Sequence, residues 1–457
     1  MTVIRFGTGA YQSRSKPISS QQMVNCYLEV APPGSKSPVA VIPSYGIGDW
    51  CTVGTDTTVG TRGGIVVNGV PYVVVGRNLA RISAGKTATI LGSIPTTDLV
   101  SMAGDGTNIA VASNGALYLY NGSTVSPISD PDFPGASWVG FLDGYFPVIE
   151  PNSGRFWINE TPYVPTNWNA LDFVTAEGAP DDLLWGVISQ RELYAFGRET
   201  TEVFYNSGDA DSPLRRTDSG FIELGLMSAG AAAKTDSGIY LLANDGIAYR
   251  LSGYEPGRVS SHAMEKAIED YADKSCRVFP FTEGGHKMVA FRFATATWVI
   301  DLSTQLPHER RSTGYSRWRP QLALNAFNRT LVGDAESNRI GVLDAESFEE
   351  WGEPLRSSCA APSIAEENRY LFHSSLELQF EQGVGTLETP NPQVMLDWSD
   401  DGGRTWSSEH WRSLGAMGAF KSRAVWRRLG RSRDRVYRFA ITDKVRRNLV
   451  QAIWEGE

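Results

Sequence analysis

The sequence has few of the residues that build metal sites and covalent cross-links. It contains five scattered histidines and four widely spaced cysteines, Cys26, Cys51, Cys276 and Cys359. No two cysteines form a C-x-x-C pair, so neither a zinc pattern nor a haem attachment pattern is present. We therefore expect free, mostly buried thiols in a protein made in a reducing cytosol, with no metal and no cofactor.

Long apolar runs and catalytic motifs are also missing. No segment approaches the roughly 18 apolar residues of a membrane helix, and residues 1–10 lack the apolar core of a signal peptide. There is no P-loop, G-x-S-x-G or H-E-x-x-H motif. The formal net charge of −9 argues against a general nucleic-acid binder, whose surface is usually basic. We predict no catalytic residues, no enzyme activity and no membrane anchor.

The chain is instead rich in residues of turns and of aromatic cores. Its 457 residues include 46 glycines and 13 tryptophans, a composition that favours turn-rich β structure. A chain of this length is too long for one compact core. We expect two or three domains.

A unit of strand, tight turn and strand recurs seven times. Asp-Gly and Asn-x-Gly turns between short β-rich runs predict hairpins, because these turns need residues that tolerate positive φ. A repeat of about 40–50 residues with four short strands has the length of a propeller blade. We predict an all-β fold with a six- or seven-bladed β-propeller over residues 61–362; a series of irregular sandwiches is the alternative. The first turns fall near Asn68, Asp105, Asp143, Gln190, Asp236, Gly284 and Phe327.

Two segments flank the repeats. Residues 1–60 are interrupted by glycine and proline and predict an extended N-terminal arm, in which Val39–Pro43 is a possible strand. The arm could lend a closing strand to the last blade or form an ordered loop. Residues 363–457 predict a C-terminal antiparallel β-domain, with Leu371–Phe380 as its longest strand. Within the repeats, Ser261 is a suitable N-cap for one amphipathic helix.

The C-terminal region contains an Asp-box motif, S-x-D-x-G-x-T-W, which is familiar from sialidase propellers. The Asp401 carboxylate can accept backbone N–H bonds, the glycines permit positive φ, and Trp406 can pack beneath the turn. In families that share this motif it is structural and lies away from the active site. We therefore predict a structural hairpin formed by Ser399, Asp401, Gly403, Thr405 and Trp406.

Basic residues are concentrated near the C-terminus. Between Lys421 and Arg447 there are eleven Lys or Arg and two acids, so this stretch carries +9 and the rest of the chain −18. These side chains could contact phosphates, could bridge to an acidic neighbouring protein, or could form a solvated sheet face. The candidate assembly or phosphate contacts are Lys421, Arg423, Arg427, Arg428, Arg431, Arg433, Arg435 and Arg438.

A set of distinctive motifs lies between Asp130 and Gly208. They are Asp130–Pro134, Leu142–Phe146, Ala170–Phe173, Ala176–Gly178, Glu192–Gly197 and Thr201–Gly208. Together they resemble the packaged-DNA stabilisation proteins, or tail hub (nozzle) proteins, of short-tailed bacteriophages. The similarity extends from about residue 11 to about residue 344.

This resemblance implies a structural protein of the virion tail, assembled in the host cytoplasm. Such proteins are β-propellers that form a ring, usually a hexamer, below the portal and adaptor. The ring retains packaged DNA and forms part of the channel through which DNA is ejected. The implied partners are other copies of the chain, the portal-adaptor protein, tail spike, fibre or needle proteins, and double-stranded DNA passing without sequence specificity. The resemblance transfers a role but no functional residues.

An enzyme-class alternative is a glycan-binding or sialidase-like propeller acting on host surface carbohydrate. That chemistry needs a cluster of arginines for a carboxylate and a tyrosine nucleophile paired with a glutamate. The Asp box occurs once and outside the repeats, whereas sialidases usually have several between their blade strands. A receptor-binding tail component is a third possibility, which differs only in the partner.

Overall fold

The first strands of the chain belong to an arm that later joins two different parts of the molecule. The computed structural model describes residues 2–15, 18–176, 178, 180–209 and 213–457. Glu177, which lies within one of the family motifs, is outside the described residues. The arm contains β1 (Thr2–Ile4), β2 (Gln22–Val24), β3 (Cys26–Val30), β4 (Val39–Pro43) and β5 (Gly46–Thr52).

Six four-stranded antiparallel blades follow, each made of strands consecutive in the chain. The first contains β6 (Thr61–Val67), β7 (Val70–Val75), β8 (Asn78–Ile82) and β9 (Ala88–Ser93). The second contains β10 (Ser101–Gly104), β11 (Ile109–Ser113), β12 (Ala116–Tyr120) and β13 (Val125–Pro127). The third contains β14 (Trp138–Val139), β15 (Val148–Ile149), β16 (Arg155–Trp157) and β17 (Phe173–Thr175).

The next three blades have the same strand order. The fourth contains β18 (Leu183–Ser189), β19 (Glu192–Gly197), β20 (Thr201–Asn206) and β21 (Leu214–Ile222). The fifth contains β22 (Ala232–Thr235), β23 (Gly238–Leu242), β24 (Ala248–Ser252) and β25 (Glu255–Arg258). Helix α1 (His262–Glu269) precedes the sixth, which contains β26 (Arg277–Glu283), β27 (His286–Arg292), β28 (Thr297–Asp301) and β29 (Pro307–Glu309).

A seventh, composite sheet closes the ring. It contains β30 (Pro320–Ala326), β31 (Arg329–Asp334), β32 (Arg339–Asp344) and the arm strand β5, which pairs antiparallel with β32. The innermost strands β6, β10, β14, β18, β22, β26 and β30 contact one another in turn, and β30 contacts β6. The predicted six- or seven-bladed propeller is therefore confirmed, with six continuous blades and a seventh sheet completed by the arm.

The hairpin turns follow the prediction closely. Asn68, Asp143 and Gln190 all have positive φ, and so do the residues that follow each of them. Two consecutive residues with positive φ are the mark of a type I′ turn, whose twist matches that of the flanking strands. The same geometry occurs at Gly284 and at Phe327. Side chains other than asparagine and glycine are thus accepted where the paired strands fix the turn.

The blades are held together by apolar layers between neighbouring sheets. Phe156 of β16 meets Phe204 of β20 edge-on, with ring centroids 4.7 Å apart. An aromatic pair of this kind contributes about 0.5–1.5 kcal/mol beyond its buried area. Because a single four-stranded sheet cannot bury both faces alone, each blade depends on its two neighbours. Ile47 of β5 is 1% exposed, so the closing strand contributes to this core as well.

The C-terminal domain is a β-sandwich, which confirms the predicted antiparallel β-domain. Before it, β33 (Glu349–Glu350) and β34 (Glu353–Pro354) extend the composite sheet of the propeller, where β33 pairs in parallel with β5. The strands that follow are β35 (Ser357–Ala360), β36 (Ile364–Ala365), β37 (Leu371–Phe380), β38 (Gln393–Ser399), β39 (His410–Ser413), β40 (Ala424–Arg427), β41 (Arg431–Ser432), β42 (Asp434–Ile441) and β43 (Leu449–Gly456). Strand β40 ends at Arg427, and the next residue, Arg428, has a φ of +59°.

The arm completes both sheets of this sandwich. One sheet has the order β3-β4-β43-β37-β40, with β1 beside β43 and β41 beside β37. The other contains β35, β42, β38 and β39, and β2 lies at its edge. On its far side β2 pairs in parallel with β29, so the sixth blade and this sheet are continuous. Val39–Pro43 is a strand, as expected, but in the sandwich rather than in the propeller.

Helix α1 packs on its own domain. Ser261 caps it through a 3.3 Å hydrogen bond from the Met264 N–H to the Ser261 hydroxyl. Ala263, Met264 and Ile268 are buried. Within the described ranges, no helix combines the length and the apolar composition that crossing a membrane requires.

Candidate assembly site on the C-terminal sandwich

The Asp box forms a self-contained hairpin between β38 and β39. The Asp401 carboxylate accepts hydrogen bonds from the backbone N–H groups of Arg404 and Thr405 at 2.8 and 2.9 Å. It also accepts from the hydroxyls of Thr405 and Ser399 at 2.6 and 2.7 Å. These bonds, the hydroxyls first, hold the pKa of Asp401 well below its usual range. The carboxylate is committed to the turn itself.

Contacts from β42 and from the arm anchor this hairpin to the rest of the chain. The Arg438 guanidinium lies 3.9 Å from the centre of the Trp406 ring and pairs with Asp397 at 2.5 Å. On the other side, the hydroxyl of Ser20 donates to the carbonyl of Gly402. All five predicted box residues therefore come together, and their neighbours are the arm and β42.

The basic stretch divides into paired and unpaired side chains. Arg423 pairs with Glu377 at 3.2 Å, and Arg435 forms a two-pronged pair with Asp400 at 2.6 and 2.7 Å. Arg435 is only 2% exposed, so it holds the sandwich together and is not accessible to a partner. With Arg438, three of the eight candidate residues thus have acidic partners within the chain.

The other five candidates are Lys421, Arg427, Arg428, Arg431 and Arg433, all exposed. In the described part of the chain none of them has a carboxylate within 4.0 Å. The guanidinium groups of Arg431 and Arg433 lie 4.7 and 4.6 Å from the centre of the Tyr370 ring. Cations at this distance from an aromatic face are attracted by about 0.5–1 kcal/mol at exposed sites.

The strand register places an apolar ring beside these cations. Phe372 of β37 pairs with Arg431, and Ser375 pairs with Arg427. Directly paired residues of neighbouring strands share one face of the sheet. Tyr370 and Phe372 are 50% and 52% exposed. We call the surface formed by Tyr370, Phe372, Arg427, Arg431 and Arg433 the Tyr370 patch.

The composition of the Tyr370 patch is that of a protein interface. Tyrosine, phenylalanine and arginine are enriched at interfaces, and they dominate the binding energy where they are central. An acid lies at one border, since Glu455 accepts a 3.1 Å hydrogen bond from Ser375. Sequence reasoning found the arginines but missed Tyr370 and Phe372.

The remaining chemistry of the described chain is sparse. All four cysteines are free, and Cys26, Cys276 and Cys359 are buried. Burial raises the pKa of the Cys276 thiol well above its ordinary value, which disfavours the reactive thiolate form. No group of three or more His, Cys, Asp or Glu side chains is placed to hold a metal, among the residues the structure describes.

Two family models together match nearly the whole chain. The model described as bacteriophage P22 Gp10, beta-propeller, matches residues 4–348, and the one described as bacteriophage P22 Gp10, beta-sandwich, matches residues 356–457. No curated protein matches the chain.

Two solved structures share a distant likeness with the chain. The chain is similar to the computationally designed Ika8 protein at 13% identity and a TM-score of 0.39, over 71% of this chain and 99% of that one. It is similar to PorZ of Porphyromonas gingivalis at 10% identity and a TM-score of 0.42, over 71% of this chain and 44% of PorZ. The chain thus spans less than half of PorZ. Similarities this low carry no argument about function.

Proposed function

This chain belongs to the bacteriophage P22 Gp10 family, whose members are phage structural proteins that stabilise packaged DNA, and we propose that it acts as a tail hub, or nozzle, protein. In this proposal six copies form a ring below the portal and adaptor, retain the packaged DNA and form part of the ejection channel. The supporting observation is that family models match both the propeller and the sandwich, in the same order along the chain. The protein would be assembled in the host cytoplasm and carried in the virion tail.

The architecture suits a ring subunit. Strand β2 connects the sixth blade to the sandwich. Its residue Val24 pairs with Glu309 of β29 on one side and with Ser358 of β35 on the other. Backbone pairing of this kind resists rotation of one domain against the other. A subunit that behaves as one body can transmit a contact on its sandwich to its propeller.

We place one assembly contact on the Tyr370 patch, with the acidic surface of a neighbouring protein as its partner. A second copy of this chain would suit it, because the chain outside residues 421–447 carries −18. Complementary charge orients and accelerates such association. The portal-adaptor protein and the tail spike, fibre or needle proteins are the other proposed neighbours.

The role towards DNA in this proposal is containment. A net charge of −9 makes the body of the protein repel phosphates at long range, so a duplex in the channel slides past it. A basic wall would retain the duplex, because contacts between its cations and the phosphates release counterions and so favour binding. DNA would therefore pass without sequence specificity.

The enzyme alternative lacks support. The family is structural, which argues against a catalytic role. The Asp box belongs to the sandwich. A sialidase also needs a tyrosine and a glutamate beside its arginines. One arginine-lined cavity exists near the propeller axis, but neither residue type is among its described lining residues.

The proposal is tested by the mass of the assembled protein. Native mass spectrometry of the wild type should show a hexamer, either for the protein by itself or after the adaptor has been added. A variant with Arg427→Ser, Arg431→Ser and Arg433→Ser should shift the assembly towards monomer or prevent attachment to the tail.

A matched control removes the same charge from two blades and the composite sheet. The changes are Arg81→Ser, Lys234→Ser and Arg329→Ser, all at exposed positions of the propeller. The control should assemble like the wild type. A monomer at all concentrations, with and without the adaptor, would contradict the ring, whereas a ring unaffected by the patch variant would contradict only the placement of the contact.

A further inference from the structure

A cavity opens at the propeller axis, on the face where the innermost strands begin. Its volume is about 490 Å³. It is lined from four blades and the composite sheet, by residues that include Arg62, Asp98, Ser228, Arg277, Arg292 and Gln321. The cavity exists only because the blades of one chain close into a circle.

Arg62 has a structural role at this site. Its guanidinium donates to the hydroxyls of Thr96 and Ser113 at 2.8 and 2.6 Å and pairs with Asp98 at 3.1 Å. Further bonds reach the carbonyls of Gly76 and Asp98 at 3.0 and 2.7 Å. Its donors are thus used in joining the first blade to the second.

Arg277 and Arg292 are different, because their donors are mostly unused. Arg277 donates from Nη1 to the carbonyl of Arg62 at 2.7 Å and, in the described residues, has no carboxylate within 4.0 Å. Arg292 donates from Nε to the carbonyl of Trp318 at 3.2 Å. Its nearest carboxylate is Glu336, 3.8 Å away and shared with Arg317.

Partial burial makes these two charges costly. Burial first, and then the nearby Arg292 charge, lowers the pKa of Arg277 to about 9. Burial and the charge of Arg317 lower the pKa of Arg292 to about 10. Both side chains remain cationic at neutral pH. Two like charges in a shared cavity, without a carboxylate of their own, are stabilised by an anion that enters between them.

The two acids that line the cavity do not supply that anion. Asp98 pairs with Arg62 and accepts a 2.8 Å bond from the Asn114 N–H. Asp273 accepts a 2.8 Å bond from the Ser275 N–H. Their negative charges disfavour a doubly charged phosphate group more than a carboxylate group, which brings only one negative charge into the cavity. The planar guanidinium group of arginine can donate two parallel N–H···O bonds to the two oxygens of a planar carboxylate.

We propose that this axial cavity is a carboxylate-binding site in which Arg277 and Arg292 hold the two oxygens. The carboxylate belongs either to a small dicarboxylate or to an acidic side chain of a peptide segment inserted at the axis. The inference is independent of the proposed ring and channel.

Isothermal titration calorimetry in low-salt buffer at pH 7.5 tests the site on the full chain. The probes are glutarate, the peptide acetyl-Gly-Glu-Glu-Gly-amide and inorganic phosphate at matched ionic strength. We expect saturable binding of glutarate or the peptide, with phosphate at least tenfold weaker. Binding of glutarate but not the peptide identifies a small-molecule site, and tighter peptide binding identifies an inserted segment. Saturable binding of neither, or tighter phosphate binding, overturns the proposal.

Variants assign the binding to the two arginines. Arg277→Gln and Arg292→Gln should each weaken the carboxylate at least tenfold. Arg277→Lys keeps the positive charge but loses the two parallel N–H donors, so its affinity for the carboxylate should lie between that of the wild type and that of Arg277→Gln. This variant also tests the site if Arg277→Gln fails to fold. Arg191→Gln, at an exposed hairpin of the fourth blade, is the control. Equal affinity in wild type, Arg277→Lys and Arg292→Gln would contradict the assignment.

Discussion

Arg310 and Glu283 form a salt bridge of 2.5 Å in which both side chains are fully buried. Glu283 also accepts a 2.9 Å bond from the Tyr45 N–H, and Arg310 donates to the Tyr45 carbonyl at 2.8 Å. The guanidinium lies 4.0 Å from the centre of the Trp318 ring. Tyr45 immediately precedes the closing strand β5, so this buried pair fastens the arm to the sixth blade at the point where the ring closes.

Removal of one partner should be far more damaging than loss of a surface pair. Arg310→Met leaves Glu283 buried without its counter-charge, and breaking a buried pair in this way costs about 3–5 kcal/mol. The control Lys287→Met breaks an exposed pair with Asp236, which should cost no more than about 1 kcal/mol. Urea denaturation followed by tryptophan fluorescence measures both. Equal midpoints for the two variants would contradict the fastening role.

The closing strand should control the stability of the composite seventh sheet. Ile47→Ala removes a fully buried side chain from β5, and such truncations cost about 2–5 kcal/mol. Hydrogen exchange should accelerate in the paired strand Arg339–Asp344 more than in β7 of the first blade. Val30→Ala, at a position 63% exposed on β3, is the control. Uniform acceleration across all blades would argue against local opening at the closure.

The Asp box should be structural. Asp401→Ala removes the acceptor of four hydrogen bonds within the hairpin and should lower the unfolding temperature of the protein. Glu388→Ala, at an exposed position in the same sandwich, should leave it unchanged. Neither the wild type nor the variants should hydrolyse a fluorogenic sialoside. Hydrolysis by the wild type that a folded Asp401→Ala variant lacks would refute this assignment.

The sandwich should lose stability in mild acid because of His373. This buried ring accepts a 2.9 Å bond at Nδ1 from the Trp454 indole and lies 2.9 Å from the Ser432 hydroxyl at Nε2. Burial, and then the charge of Arg435, lowers the pKa of His373 from 6.5 to about 4. The unfolded chain therefore binds more protons than the folded chain between these values, so stability is complete above pH 6.5 and falls as the pH drops towards 4.

The size of this effect is on the order of 1–3 kcal/mol, since one pKa unit corresponds to about 1.4 kcal/mol. Urea midpoints at pH 7.5 and 5.0 measure it. His373→Gln should shrink the difference between the two pH values, whereas His262→Gln, on the exposed side of α1, should not. An unchanged pH difference in His373→Gln would exclude this residue as the source.

Neutralising the Tyr370 patch should not change the interaction with DNA. If Arg427, Arg431 and Arg433 bound phosphates, replacing all three with serine would flatten the salt dependence of DNA affinity by about 0.9 log unit per lost contact. We expect weak or absent binding in both proteins, measured by fluorescence anisotropy from 50 to 200 mM salt. Tight, salt-sensitive binding that the variant loses would favour the phosphate-contact alternative.

Local patterns were enough to predict the blades. Strands Val70–Val75, Ala116–Tyr120 and Thr297–Asp301 lie in the blades whose first turns were predicted near Asn68, Asp105 and Gly284. Hairpin partners are close in sequence, so turn chemistry fixes their register. The domain limits at residues 61 and 362 stay predictions.

Long-range pairing was beyond the reach of the sequence. Strand β5 contains Gly46, Gly48 and Asp49, a weak strand pattern, and its partner β32 lies about 290 residues later. Nothing local indicates that β1, β3 and β4 join a sandwich at the other end of the chain. The Arg277 and Arg292 site has the same origin, because the cavity forms only where four blades and the composite sheet meet.

Phe372 of the Tyr370 patch was missed for a different reason. Simple alternation along β37 puts Phe372 on the same side as Leu376 and Leu378, which are buried. A register shift between His373 and Ser375 inserts one residue and reverses the alternation. Leu371 and His373 therefore face inward and Phe372 faces solvent.

The central claim, a ring at the virion tail that retains packaged DNA, is tested most directly by electron cryo-microscopy of intact virions. The account predicts six copies of this propeller-sandwich subunit arranged around the tail axis below the portal and adaptor, with DNA density ending at or within the ring. Copies located only at the tail periphery, as receptor-binding appendages would be, or absent from the virion, would contradict it.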